Sequence, residues 1–218
     1  VLANSHVLLD DVPGVGKTSI AVALGKTLGM NYNRIQFTPD VLPSDIVGFS
    51  IFNRDSETLV YVPGVINDTN LLLADEINRT SSRTQAALLE AMEEKQVTVD
   101  GNSHKLPDPF IVIATQNQVG AAGTQVLPHA QMDRFLVKLA IGYPDRDSEI
   151  GIIQGRQTAD PYATIKKVVS ADAVRTMQAA VLQVTIMDEL VGYITDIVSA
   201  SRANSLIDLG ISPRGAIA

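Results

Sequence analysis

A glycine-rich loop closed by a lysine and a threonine, Pro13-Gly14-Val15-Gly16-Lys17-Thr18, lies between an apolar run and a helical repeat. The run His6-Val7-Leu8-Leu9-Asp10 is short and stops at a turn, which predicts a buried strand. After the loop, Ile20, Ala21, Ala23, Leu24 and Leu28 recur at helical spacing until Gly29, a candidate C-cap. Bare glycines leave backbone N–H groups open to an anion, and the next helix aims its unpaired amides and positive dipole end at the same point. The combination predicts a phosphate cradle. Lys17 is placed to reach β- and γ-phosphates, and the Thr18 hydroxyl to ligate Mg²⁺. The predicted nucleotide-contacting set is Asp11, Val12, Pro13, Gly14, Val15, Gly16, Lys17, Thr18 and Ser19. The usual pattern has glycine five places before Gly16, where this chain has Asp11.

The rest of the chain supplies the sheet that such a loop requires. Arg34-Ile35-Gln36-Phe37 predicts a second strand. Residues 38–69 contain Pro39, Pro43, Pro63, Gly48 and Gly64 with short β-like pieces at Ile51-Phe52 and 58–62, which reads as an insertion and not as a core helix. Asn70-Leu71-Leu72-Leu73-Ala74 is another buried strand, and Ser82 with Gln85 predicts a capping box opening a helix to about Glu94. A hairpin turning at Gly101-Asn102 and strands at 110–114 and 135–141 follow. Strands alternating with helices imply a mostly parallel sheet with helices on both faces. From about Pro144 the pattern is helical, over 145–156, 171–182 and 188–203, with Ser212-Pro213 starting one more helix. Both ends are expected to be cut points of a longer protein.

Acidic residues are costly within an apolar strand but suit its carboxyl end, where parallel sheets bind ligands. Asp75-Glu76 follows Leu71-Leu72-Leu73-Ala74 in this way. Asp75 is expected to hold Mg²⁺, directly or through water, and Glu76 to polarise the attacking water as general base. Asn117, after Ala114-Thr115-Gln116, is placed to hydrogen-bond the γ-phosphate or that water. Arg134 is a candidate donor to the γ-phosphate in the transition state, with a surface ion pair as the competing reading. Arg214, at a helix start, could touch the phosphates from the helical part or be a solvated helix-end residue.

The formal net charge of −7, without a Lys/Arg block, argues against nucleic acid as partner. His6, His104 and His129 are far apart and flanked by no acidic ligand pattern, so a zinc site is not expected. There is no cysteine for a disulfide or thiolate site, and no apolar stretch approaches the roughly 18–20 residues of a membrane span. A soluble, cytoplasmic protein is the expectation.

With these features in order, the chain resembles AAA+ ATPases of the MoxR family. The resemblance rests on the loop and on Phe37-Thr38-Pro39-Asp40-Val41-Leu42-Pro43-Ser44-Asp45, Leu73-Ala74-Asp75-Glu76-Ile77-Asn78-Arg79 and Ala87-Leu88-Leu89-Glu90-Ala91-Met92-Glu93-Glu94. Ala114-Thr115-Gln116-Asn117, Leu127-Pro128-His129-Ala130-Gln131-Met132-Asp133-Arg134-Phe135 and Gly210-Ile211-Ser212-Pro213-Arg214 complete it. It implies an α/β P-loop NTPase domain over residues 1–142 with a parallel sheet flanked by helices. Within it, 46–66 would form an insert in the second helix and 96–106 a hairpin before sensor 1. A partial all-α lid domain would follow over 143–218. Lys17 and Thr18 match Walker A, Asp75 and Glu76 Walker B, Asn117 sensor 1, Arg134 the arginine finger and Arg214 sensor 2. ATP and Mg²⁺ as cofactors, a homo-oligomeric, hexameric ring, and protein clients beside von Willebrand factor A domain partners are also implied. Asp-Val-Pro-Gly at the loop start is common in this family. The chain departs from it at Val65-Ile66-Asn67-Asp68, in the absence of the upstream adenine-contacting segment, and in an incomplete lid. A chelatase-type motor subunit, a DNA-remodelling motor and a nucleotide-gated scaffold without turnover are the competing readings.

Overall fold

In the computed structural model, which describes residues 1–12, 14–116, 124–156 and 162–218, five parallel strands form one sheet. They are β1 (Val7–Asp10), β2 (Tyr32–Gln36), β5 (Leu71–Asp75), β8 (Ile111–Gln116) and β9 (Val137–Leu139), in the order β2-β5-β8-β1-β9. Two antiparallel hairpins stand outside this sheet: β3 (Phe49–Asn53) with β4 (Thr58–Val62), and β6 (Gln96–Val99) with β7 (Asn102–Lys105). The helices are α1 (Lys17–Leu28), α2 (Pro43–Val47), α3 (Ser82–Glu94), α4 (His129–Met132), α5 (Arg146–Arg156), α6 (Ala171–Val181), α7 (Asp188–Ala203) and α8 (Pro213–Ile217).

Strand side chains alternate between faces, so a run apolar at every position must be covered on both sides. In β5 and its neighbour β8, Leu72, Ala74, Val112 and Ala114 join Leu88, Leu89 and Met92 of α3 on one face. Leu71, Leu73, Ile111 and Ile113 meet Ala21 of α1, Met30 and Val174 of α6 on the other. A fully buried leucine or isoleucine contributes about 2 kcal/mol relative to exposure, and β5 is buried at all five positions. This continuous burial suits an interior strand, here paired between β2 and β8.

Three local expectations need correction. Residues 38–69 do contain a helix, α2: Pro43 takes the first helical position, the Asp45 carboxylate accepts from Leu42 N at 2.9 Å, and Ile46 is fully buried. The cap of α3 is Ser81, whose hydroxyl accepts from Thr84 N at 3.2 Å. Gln85 forms no capping box with Ser82; its amide turns inward and donates to Ile77 O at 3.0 Å. The β6–β7 turn is made by Asp100 and Gly101, both at positive φ, one residue earlier than predicted. Mirror-image turns of this kind match the twist of paired strands.

His6 fastens the amino end of the sheet to α3. Its Nδ1 accepts from Val112 N at 2.9 Å, so the neutral ring carries its proton on Nε2, which donates to Met92 O at 3.1 Å. Burial, followed by the Lys95 charge, lowers the His6 pKa to about 3. The unfolded chain then binds the proton first, so stability is complete above pH 6.5 and declines as pH falls from there toward 3. Denaturant unfolding should show a loss of about 1.4 kcal/mol between pH 7.5 and 5.5, where carboxylates stay ionised. His6→Leu should be less stable at pH 7.5, yet lack that slope.

Candidate nucleotide site

The loop after β1 and the acidic pair after β5 lie at the same edge of the sheet. Register sets Asp10 level with Gln116, and Ala74 level with Ala114, so β1 and β5 end together on either side of β8. Two strand spacings, about 10 Å, separate them. Gly14 and Gly16 adopt φ +86° and +94°, a region open to glycine and strained for other residues. A Cβ on Gly14 would meet nothing within 4 Å, so the loop faces open space. Helix α1 starts from Gly16 without a side-chain cap and without acid in its first turn. Its N-terminal amides and dipole are therefore directed to the loop, an arrangement that fits a polyphosphate.

Lys17 is buried and donates to Asp11 O at 2.8 Å, folding its ammonium back over the loop. The Asp11 side chain turns to amides of the chain itself. Its carboxylate accepts from the amides of Gly142 at 2.7 Å, Val12 at 2.7 Å, and Ile141. These bonds, Gly142 first, together with the Lys17 charge, hold its pKa below the ordinary carboxylate value. Where a P-loop usually has glycine, this chain uses a carboxylate to tie the loop to the exit of β9. Thr18 and Ser19 occupy the first turn of α1, and Tyr162 donates to the Ser19 hydroxyl at 2.7 Å. Pro13 and Asn117 lie outside the described residues.

Asp75 and Glu76 are embedded in a hydrogen-bond network. Thr115 Oγ1 donates to Asp75 Oδ1 at 2.5 Å and accepts from Glu76 N at 2.9 Å. Arg34 Nη2 donates to Asp75 Oδ2 at 2.7 Å. Glu76 is left-handed at φ 56°, a conformation that costs a non-glycine residue on the order of 1 kcal/mol. Its carboxylate accepts from Gln36 Nε2 at 2.9 Å and Arg79 Nη1 at 2.8 Å. Thr18 and Asp75 carry hard oxygen donors of the kind magnesium prefers, and both Asp75 oxygens are engaged here by Thr115 and Arg34. Arg34, Gln36, Arg79 and Thr115 were absent from the predicted site. Arg34 and Gln36 alternate along β2, but only the pairing of β2 with β5 sets them opposite Leu73 and Asp75.

Arg134 and Arg214 are elsewhere. Leu136 N bonds to His6 O and Val137 pairs with Val7, so Arg134 lies before the amino edge of the sheet. The four residues of β1, about 13 Å of strand, separate that edge from the loop. Arg214, on α8, is next to Arg134 and not next to Lys17: Arg134 Nε lies 3.1 Å from Glu93 Oε2, and Arg214 Nη2 bonds to Glu93 Oε1.

A parallel sheet with a glycine-lysine-threonine loop after one strand and an Asp-Glu pair after a second defines a P-loop nucleotide-binding domain of the AAA+ type. The model of the ATPase family associated with various cellular activities (AAA) matches residues 6–137. YeaC of Bacillus subtilis, an uncharacterized protein, is 50% identical over 218 residues, which are all of this chain and 68% of that protein. Chaperone MoxR1 of Mycobacterium tuberculosis is 37% identical over all of this chain and 59% of its own length. A crystal structure from Cytophaga hutchinsonii, of a protein assigned as an ATPase, superposes with TM-score 0.87 at 38% identity, covering 99% of this chain and 68% of that one. The chain belongs to the AAA family of ATPases and, within it, to the MoxR family. It spans between about three fifths and two thirds of these relatives. Among the described residues, no helix is long and apolar enough to cross a membrane.

Proposed function

We propose that the chain binds ATP with Mg²⁺ at residues 11–19 and hydrolyses it at interfaces between copies of itself, using the energy to remodel partner proteins. One observation carries this reading. The cradle and the acidic pair occupy the carboxyl edge of the sheet, whereas Arg134 and Arg214 occupy the amino edge. No chain can bring both halves to one phosphate, but a head-to-tail neighbour can supply the missing arginines. A ring closes such contacts, and six subunits is the number inherited from the family resemblance. Residues 143–218 are then the start of the lid domain, carrying Arg214 toward the neighbour's phosphates.

Within the proposed site, Lys17 and the loop amides bind the phosphates, and Thr18 and Asp75 would hold the magnesium ion. When bound, the metal neutralises phosphate charge. Glu76 accepts a proton from the attacking water, Asn117 orients that water or the γ-phosphate, and the neighbour's Arg134 stabilises charge on the transferred group. The name Chaperone MoxR1 supports a protein client, and the family resemblance points to von Willebrand factor A domain partners.

The test is phosphate release from ATP by the whole protein in the presence of magnesium. Lys17→Ala removes a charge-assisted bond worth about 1.5–3 kcal/mol, so a fluorescent ATP analogue should bind roughly 10–100-fold more weakly. Phosphate release should fall to background. Unchanged analogue binding would remove the loop from the reading, and binding without release by the unmodified protein would favour a nucleotide-gated scaffold.

A further inference from the structure

Glu93, in the last turn of α3, divides its carboxylate between two arginines from distant parts of the chain. Arg134 takes Oε2 and Arg214 takes Oε1. A second contact lies alongside, where Ser212 Oγ donates to Asp133 Oδ1 at 2.7 Å. Asp133-Arg134 and Ser212-Arg214 are thereby interlocked, joining the segment before β9 to the first turn of α8. Clefts of about 500 and 210 Å³ flank Glu93, and Arg134 lines both.

Two guanidinium groups this close repel, and each is free to adopt many rotamers unless something holds it. A carboxylate shared between them offsets the repulsion and fixes both forks, and the trio retains one net positive charge. Arg134 and Arg214 remain 28% and 44% exposed, so that charge is accessible to an anion brought by a second copy. We propose that Glu93 is a positioning residue that couples Arg214 to Arg134, so that the two arginines meet a neighbour's phosphates as one unit. A shift of α8 is then transmitted through Glu93 to Arg134. This rests on the reading that Arg134 serves a neighbouring site.

The experiment compares Glu93→Gln, Glu93→Asp, Arg214→Ala, Arg134→Ala and the Glu93→Gln/Arg214→Ala double variant in the whole protein. Steady-state ATP hydrolysis, thermal unfolding and sedimentation are measured for each. Glu93→Gln should lower kcat about tenfold, equivalent to about 1.4 kcal/mol, with KM within about twofold. Glu93→Asp should keep more than about half of kcat, and Arg214→Ala should add less than about twofold to the Glu93→Gln loss. Full kcat in Glu93→Gln, or losses from Glu93→Gln and Arg214→Ala that multiply, would overturn the coupling while leaving the shared site intact. Losses that track Tm or assembly in both Glu93 variants would overturn it equally. Full kcat in Arg134→Ala would instead remove the shared site itself, and the coupling with it.

Discussion

Glu76→Gln is expected to lower the rate of ATP hydrolysis by on the order of 10²–10³, within the usual contribution of a general base, while ATP binding is retained. The expectation follows from how Glu76 is held. Its left-handed backbone turns the chain out of β5 just after Asp75, and Thr115 fixes its amide. Gln36 and Arg79 both donate to its carboxylate, so the side chain is oriented by groups outside the phosphate loop. A glutamine keeps the length and can still accept these bonds through Oε1, but its amide cannot take a proton from water. Binding and chemistry should therefore separate. Single-turnover phosphate release against titration with a fluorescent ATP analogue checks this. A variant that keeps more than about a tenth of the unmodified rate would show that Glu76 is not the base.

How far the sequence announced this arrangement depended on how local each feature is. The loop, helix α1 and its Gly29 cap, and the acidic end of β5 are each written within a dozen consecutive residues, and periodicity and turn chemistry suffice to read them. The capping of α3 was misread because Ser81 and Ser82 are equally good caps by type. The choice is made by Gln85, which the carbonyls of Ile77 and Thr80 draw inward, beyond any local pattern. Helix α2 was missed because its five residues carry only one buried apolar position, Ile46. Partners set by strand order were invisible in principle. Arg34 and Asp75 are 41 residues apart, and nothing in either segment says that β2 neighbours β5.

Arg134 and Arg214 show the same limit more sharply. Each could be read from its motif, but not that one carboxylate holds both, at the edge of the sheet remote from Lys17. The surface ion pair that competed with the finger reading for Arg134 is present, to Glu93. Ion pairing and action on a neighbour are compatible, because Glu93 meets Arg134 at Nε and a guanidinium has further N–H donors for a phosphate.

Arg134→Ala should reduce hydrolysis by on the order of 10³, the scale of an arginine donated to a γ-phosphate, and the loss should be repaired by a subunit that is itself inactive. An Arg134→Ala subunit retains its own loop and Glu76. A Glu76→Gln subunit lacks a base but presents an intact Arg134 to the site beside it. In a head-to-tail ring mixed in equal amounts and assembled at random, roughly a quarter of the interfaces pair a sound Glu76 with a sound Arg134. Activity should therefore rise from background in each pure variant to a substantial fraction of the unmodified rate in the mixture. It should follow the product of the two mole fractions and peak at equal mixing. If co-assembly is verified by sedimentation and the mixture is no more active than its parts, hydrolysis does not use a neighbour's arginine. The separation of Arg134 from Lys17 would then have to be closed within one chain, along the length of β1, which is hydrogen-bonded on both sides to β8 and β9.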